Sequence, residues 1–386
     1  MKRKLRFGMI GGGPGAFIGA VHRVAATMDG QAELVAGAFS SHPGRSRAMG
    51  AELFLDPARV YRSFTEMARA EARQPAERRL DFVVIVTPND VHFPAARACL
   101  AAGFNVVLDK PATFNLREAR RLRALVRRSR KVLVLTHNYT GNVMVKEARA
   151  LVRRGALGTL RKVVVEYPQG WLSTALERTG QKQAVWRTDP RRSGAAGCLG
   201  DIGTHAYHLA GFVTGLSCEA VAADLGRFVT GRRVDDNVNL LLRYAGGARG
   251  MLWASQVAPG NDNDLRLRVY GERAGLEWRQ EEPNQLRFAP LGEPPRIIRR
   301  GSAGADAVAA HATRIPAGHP EGYLEAFAQL YTDLAEQITA HREHRAADPA
   351  SLLVPGIAAG VDGMRFIAAA LESAQRDAGW VALAGS

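Results

Sequence analysis

The chain has 386 residues, 46% of them hydrophobic and 23% charged, and a formal net charge of +15. That length suits two domains with a sizeable core, and the composition is that of a globular protein rather than a disordered or fibrous one. No apolar run approaches the roughly 20 residues of a spanning helix, so no membrane partner is expected. Three scattered cysteines, Cys99, Cys198 and Cys218, exclude a disulfide framework or a Cys-x-x-Cys metal site.

The basic opening Met1–Arg6 imitates a signal peptide, but Gly11, Gly12, Gly13, Pro14, Gly15 and Gly19 break the apolar stretch that should follow. A cytoplasmic protein with unpaired thiols is expected. Arginines crowd between Arg117 and Lys131, with Leu116, Leu122, Leu125 and Val126 between them at helical spacing. The segment therefore reads as an amphipathic helix with a solvated basic face. No helix-turn-helix, zinc finger or aromatic RNA-binding pattern accompanies it, and no nucleic-acid partner is expected.

Over residues 1–136, short apolar runs alternate with helical patterns. Leu5–Ile10, Leu34–Phe39, Phe82–Val86, Val106–Leu108 and Val132–Leu135 read as strands. Gly19–Met28, Arg45–Leu53, Ser63–Ala72, Pro94–Ala102 and Asn115–Arg128 read as the helices between them. Strands apolar throughout and separated by helices predict a parallel, doubly wound α/β sheet covered on both faces.

Residues 137–386 follow another pattern. A helix over Val143–Arg153 and a strand over Arg161–Tyr167 lead into the runs Val221–Val229, Val238–Tyr244, Gly250–Val257, Leu265–Tyr270 and Leu276–Gln280. Successive strands without helices between them predict an antiparallel meander, hence an α+β second domain. Helices near Gly322–Ile338 and Gly356–Ala374 close the chain, and Gly301–Ala317 reads as a long loop of small residues.

Directly after the first strand comes Gly11-Gly-Gly13-Pro-Gly15-Ala-Phe-Ile-Gly19. Glycines here let backbone amides approach a pyrophosphate, at which the next helix aims its positive end. Either Ala16 or Gly19 holds the third glycine position; Gly19 is preferred, because the helical pattern starts there. At the end of the second strand stand Ser40 and Ser41, with Arg45 and Arg47 nearby and no carboxylate to bind a ribose or repel a 2′-phosphate. The cofactor is therefore NAD or NADP, leaning to NADP.

Two further segments carry a resemblance. One is Thr87-Pro88-Asn89-Asp90-Val91-His92 followed by Ala101 through Asp109-Lys110-Pro111; the other is Trp186-Arg187 followed by Gly200-Asp201-Ile202-Gly203-Thr204-His205. With the glycine loop, they resemble the glucose–fructose oxidoreductase, inositol dehydrogenase and rhizopine-catabolism (Gfo/Idh/MocA) family over essentially the whole chain. The resemblance implies a Rossmann domain, then an open, mostly antiparallel sheet that carries the substrate site and packs in a homo-oligomer, a dimer or tetramer. It implies Lys110, Asp201 and His205 as the catalytic set and Asp109 on a cofactor ribose. Thr87, Pro88 and Asn89 would line the dinucleotide cleft, and Trp186 and Arg187 would lie near its nicotinamide end or the substrate. Asp109 replaces the usual Glu, one methylene shorter, and His208 stands where relatives carry Asp.

The chemistry suits these residues. Oxidising a secondary alcohol needs a base for the hydroxyl proton, a role for His205, while the Lys110 ammonium would stabilise developing alkoxide charge. Pro111 forces Lys110 into extended or turned backbone. A packing histidine and a surface lysine are the plain alternatives. Tyr139, Gln169, Trp171 and His208 are candidate contacts for a sugar or cyclitol substrate, each equally readable as packing. No histidine spacing suggests a metal. The leading reading is an NAD(P)-dependent sugar or cyclitol dehydrogenase or reductase. The alternatives are a glycoside hydrolase working by transient oxidation and elimination with bound NAD, and a non-catalytic dinucleotide sensor.

Overall fold

The computed structural model describes residues 3–383, in two compact units. The first runs up to Asn138 and also takes Leu324–Val361; the second takes Tyr139–Tyr323 and the residues from Asp362 on. A single division after residue 136 therefore misses the return of a late segment to the first unit. That segment is tied in by the Leu135 amide, which donates to the Pro355 carbonyl at 2.7 Å, and by Tyr331, whose ring lies 6.0 Å from that of Phe82.

The first unit runs β1 (Leu5–Gly11), α1 (Phe17–Met28), β2 (Ala32–Ala38), α2 (Pro43–Glu52), α3 (Phe64–Ala72), β3 (Phe82–Val86), α4 (Asn89–Ala101), β4 (Asn105–Leu108), α5 (Leu116–Ser129) and β5 (Leu133–Leu135). The five strands form one parallel sheet in the order β2-β1-β3-β4-β5. This is the expected doubly wound arrangement. Strand β3 is buried along its whole length, as sheets with helices on both faces require. Helix α4 starts five residues before the expected Pro94, which lies inside it and forgoes one backbone bond. Helix α5 buries Ala119 and Leu122 and turns most of its arginines outward.

The carboxyl end of β2 is pinned from below. Buried Ser46 accepts the Phe39 amide at 3.1 Å and donates to the Tyr61 carbonyl at 3.0 Å. Tyr61 in turn donates its hydroxyl to Glu71 at 2.8 Å, and Arg59 grips both Glu71 oxygens at 3.0 and 2.5 Å. Glu71 is fully buried, so its charge depends on that guanidinium.

The second unit begins with α6 (Val143–Arg153) and β6 (Leu160–Pro168), then two short helices, α7 (Lys182–Arg187) and α8 (Pro190–Ser193). A π-helical turn over Leu199–Gly203 leads directly into α9 (Thr204–Thr214). Strands β7 (Cys218–Gly226), β8 (Asn237–Tyr244), β9 (Arg249–Ser255), β10 (Arg266–Gly271), β11 (Ala274–Arg279), β12 (Gln285–Pro290) and β13 (Arg296–Arg299) follow. The small-residue loop holds a short helix, α10 (Ala307–His311); after it come α11 (Tyr323–Arg342), α12 (Ile357–Gln375) and β14 (Val381–Ala382). The sheet order is β13-β12-β11-β10-β6-β9-β8-β7-β14, antiparallel except for the β6–β9 pair. Helices α6 and α9 pack on one face. In β8, Val238, Leu240, Leu242 and Tyr244 are buried while Asn239, Leu241 and Arg243 are exposed, the period-two pattern of a sheet covered on one side. Among the described residues no helix is long and apolar enough to cross a membrane.

Removing one partner of a buried ion pair costs more than replacing both. Arg59→Met should therefore lower stability to urea by ~3–5 kcal/mol, and adding Glu71→Leu with Tyr61→Phe, which removes the hydroxyl that Glu71 accepts, should recover most of that loss.

Candidate active site

In a parallel sheet every strand's carboxyl end lies on the same edge, and ligands settle where the winding reverses. Here that point lies between β1 and β3. The glycine loop leaves β1 there, with positive φ at Gly11 (86°), Gly12 (70°) and Gly15 (72°). A Cβ on Gly13 would stand 2.7 Å from the Phe39 carbonyl oxygen, and one on Gly19 would stand 2.5 Å from the Gly12 Cα. Gly19 is thus the glycine that lets helix pack on strand. Ala16 is instead the N-cap of α1, whose first turn carries no acidic side chain and no side-chain cap. Backbone amides and a positive helix end at a loop built largely of glycine make a cradle suited to a pyrophosphate.

The first unit carries the expected cofactor residues other than Trp186 and Arg187, most of them just past the carboxyl ends of its strands. Ser40 and Ser41 follow β2, with the Ser40 hydroxyl accepting the His42 amide at 3.2 Å and Arg45 exposed on α2. Thr87 and Pro88 follow β3, and Asn89 opens α4. Asp109 and Lys110 follow β4. One oxygen of Asp109, Oδ1, accepts both the Lys110 amide at 3.0 Å and the Thr136 hydroxyl at 2.6 Å. The carboxylate is thereby fixed in orientation at the strand end, which suits a ribose contact.

The second unit gathers the rest. Asp235 is buried, and its two oxygens accept the amides of Gly197 and Leu199, each at 2.7 Å. Burial pushes this carboxyl above its ordinary range, and the amide bonds oppose that shift. A Cβ on Gly197 would meet the Asp235 carbonyl oxygen at 2.2 Å, so only glycine permits the approach. From Cys198 the backbone is helical through the π turn and into α9, with Asp201 on the turn and His205 in the first turn of α9. π turns within helices recur at functional sites because they redirect side chains. The Asp201 Oδ2 accepts from Arg187 Nε at 3.1 Å and Gln256 Nε2 at 2.8 Å. The Arg187 guanidinium also lies over the Trp186 ring, 4.3 Å from its centroid.

Beside His205 lies a polar network whose proton directions follow from one donor. The Trp171 indole can only donate, at 3.0 Å, so the Gln169 oxygen must face it. The Gln169 amide then donates to Asn263 Oδ1 at 2.6 Å, which fixes the Asn263 orientation. Tyr167 must therefore donate to that oxygen at 2.8 Å, and Asn263 Nδ2 donates to the Tyr139 hydroxyl at 3.2 Å. Tyr167 has spent its proton, so Tyr139 donates to Tyr167 in a short bond that closes the ring. Burial pushes both phenols up, so both keep their protons at neutral pH. Each bond polarises the next in such a cycle.

The His205 ring meets Tyr139 edge-on, with centroids 5.1 Å apart. Tyr139 is 4% exposed and its hydroxyl is consumed by the cycle, so it sets the surroundings of His205 instead of offering a polar group. Gln169 likewise uses both ends of its amide within the network. Burial, then the Arg149 charge, pushes His208 down to about 4, leaving it neutral beside Phe212.

The structure thus brings the expected residues into two groups, one in each unit. Sequence reasoning missed Gln256, Asn263 and Asp235. Asn263 stands in a run of Asn and Asp that signals only a turn, and Asp235 is an acid in a polar loop. Among the described residues no group of three or more His, Cys, Asp or Glu could hold a metal ion.

Sheet order and glycine cradle together define a dinucleotide-binding Rossmann fold. The chain belongs to the Gfo/Idh/MocA family: residues 5–137 match the oxidoreductase family's NAD-binding Rossmann fold and residues 145–277 its C-terminal domain. It is 32% identical to the uncharacterized oxidoreductase YfiI of Bacillus subtilis over 99% of this chain and 97% of that one. A solved oxidoreductase from Sinorhizobium meliloti is similar at 47% identity and TM-score 0.88, covering 98% of this chain and 99% of that one. An inositol dehydrogenase homolog from Azotobacter vinelandii, solved with NAD+, is similar at 38% identity and TM-score 0.93, covering 98% and 97%. The same homolog has also been solved with NADH and myo-inositol.

Removing the Asp235 carboxylate would leave two buried amides without acceptors. Asp235→Ala should cost ~2–5 kcal/mol in urea unfolding, because each orphaned donor loses its bond and keeps its desolvation cost.

Proposed function

We propose that this protein transfers a hydride between a nicotinamide dinucleotide and a secondary alcohol carbon of a sugar or cyclitol, with Lys110, Asp201 and His205 as its catalytic set. The observation that carries the reading is the continuous helical track of the second unit, with Asp201 and His205 four residues apart and Asp201 braced by Arg187 and Gln256. The bound dinucleotide supplies a two-electron hydride acceptor or donor. Gly11, Gly13 and Gly19 would shape the pyrophosphate cradle, Asp109 would take a ribose, and Thr87, Pro88 and Asn89 would line the cleft.

His205 takes the substrate hydroxyl proton in oxidation and returns it in reduction. The Lys110 ammonium hydrogen-bonds the reacting oxygen and offsets its developing charge. Asp201 keeps its carboxylate between two fixed donors and orients a second substrate hydroxyl. Trp186, Arg187 and the Trp171 indole complete the polar and aromatic surroundings that a ring bearing several hydroxyls needs. The similar inositol dehydrogenase homolog, solved with NADH and myo-inositol, supports a cyclitol or sugar substrate.

Ser40, Ser41 and Arg45 support NADP, since residues 35–51 include no carboxylate to repel a 2′-phosphate. The three free cysteines suit a reducing, cytoplasmic setting. Exposed Leu241, Tyr270 and Phe228 on the second unit support association into a homo-oligomer.

Sugars, cyclitols and glycosides offered with NAD+ and with NADP+ test the reading by absorbance of the reduced cofactor. One reduced dinucleotide should form for each substrate oxidised. Lys110→Met and His205→Asn should each lower kcat by about 10²–10⁴-fold with dinucleotide affinity largely kept. Release of an aglycone without net cofactor reduction would replace this reading with the hydrolase.

A further inference from the structure

Helix α4 buries a histidine for which the reaction has no use. His92 is fully buried, and each of its ring nitrogens faces a backbone carbonyl: Nδ1 lies 2.8 Å from the Pro111 oxygen and Nε2 lies 2.9 Å from the Thr87 oxygen. Carbonyl oxygens only accept. A neutral imidazole has one N–H and can satisfy one of them, leaving the other opposite a ring lone pair. Only the imidazolium donates to both.

The two carbonyls sit at functionally loaded places. Thr87 opens the loop after β3, and Pro111 closes the Asp109-Lys110-Pro111 turn after β4, the neighbouring parallel strand. The ring therefore bridges the carboxyl ends of two adjacent strands and sets the spacing of the segments beyond them.

We propose that His92 is a positioning residue of the dinucleotide cleft, a clamp that closes fully when both ring nitrogens carry protons and so couples cofactor affinity to its charge. This rests on the dinucleotide-binding half of the functional reading and is independent of the substrate.

The surroundings oppose one another. Burial pushes the ring below the ordinary histidine range, while Asp109 beyond β4, the two carbonyls and Asp90 on its own helix push it up. Neighbouring α5 presents Arg121, which lies over the ring of Phe93. Glu71 on α3 is held by Arg59, and β3 presents apolar side chains. With the pKa lowered, the neutral ring dominates at neutral and alkaline pH and holds one carbonyl. The second bond forms as pH falls through that lowered value. A ligand that needs the closed spacing binds the protonated form better, so its binding takes up a proton.

Calorimetric titration of NAD+ and of NADP+ between about pH 5.5 and 8, in two buffers of different ionisation heat, reads this linkage. Affinity should rise about three- to tenfold toward the acid end, the net worth of one added hydrogen bond, with net proton uptake. His92→Gln, which restores donation from a single amide nitrogen, should bind like the alkaline wild type with a flat pH profile. His92→Leu should bind more weakly and also flatly. His42 and the other histidines remain in both variants, so a pH dependence that survives both substitutions would overturn the proposal. Should either variant fail to fold, ¹⁵N NMR of the wild-type ring decides. Two protonated nitrogens in the acid complex support the clamp, and a single-proton tautomer throughout overturns it.

Discussion

The amides of Gly197 and Leu199 both point at one buried carboxylate, and the rest of the second unit's candidate site depends on that grip. Asp235 fastens the start of a helical track whose π turn presents Asp201 and whose first α turn presents His205. The fastening is possible only because position 197 has no Cβ, so the backbone entering the helical track can lie against the loop that leads into β8. The first unit uses the same device, with Gly19 against Gly12. In both places glycine supplies proximity that no other residue allows, and a polar function is built on the proximity.

The first sheet was legible because strands buried on both faces are almost wholly apolar: Phe82–Val86 has no polar residue and Leu5–Ile10 is broken only by Arg6. Helix edges were less so: Pro94 reads as a helix start, yet it sits inside α4, where only one backbone bond is lost. Strands β12 and β13 lie at the sheet edge with arginine and glutamine at exposed positions, and β14 is two residues long. Strand β12 alternates buried Leu286 and Phe288 with exposed Gln285 and Arg287, but over only four residues, and β13 and β14 show no alternation. The return of α11 to the first unit depends on tertiary packing of Tyr331 against Phe82, which no local pattern encodes.

The candidate site divides in the same way. Glycine spacing and the Asp109-Lys110-Pro111 turn are local and could be read from the chain. The cycle of Tyr139, Tyr167 and Asn263 joins residues 28, 96 and 124 positions apart, and each looks like an ordinary aromatic or turn residue in sequence. Its closure explains why Tyr139, which reads as a substrate contact, serves better as a rigid wall beside His205. A polar residue whose hydrogen bonds are all internal shapes a site without offering anything to the ligand.

The central claim is that hydrogen moves as hydride from a ring carbon of the substrate to the nicotinamide. Incubating the protein with NAD+ or NADP+ and carbon-deuterated myo-inositol, then reading the reduced cofactor by ¹H NMR, tests it directly. The account predicts deuterium at the nicotinamide C4 of the reduced cofactor, on one face, with slower turnover than for the unlabelled compound. No label in the cofactor, from myo-inositol or from any deuterated sugar or cyclitol the protein consumes, would contradict it.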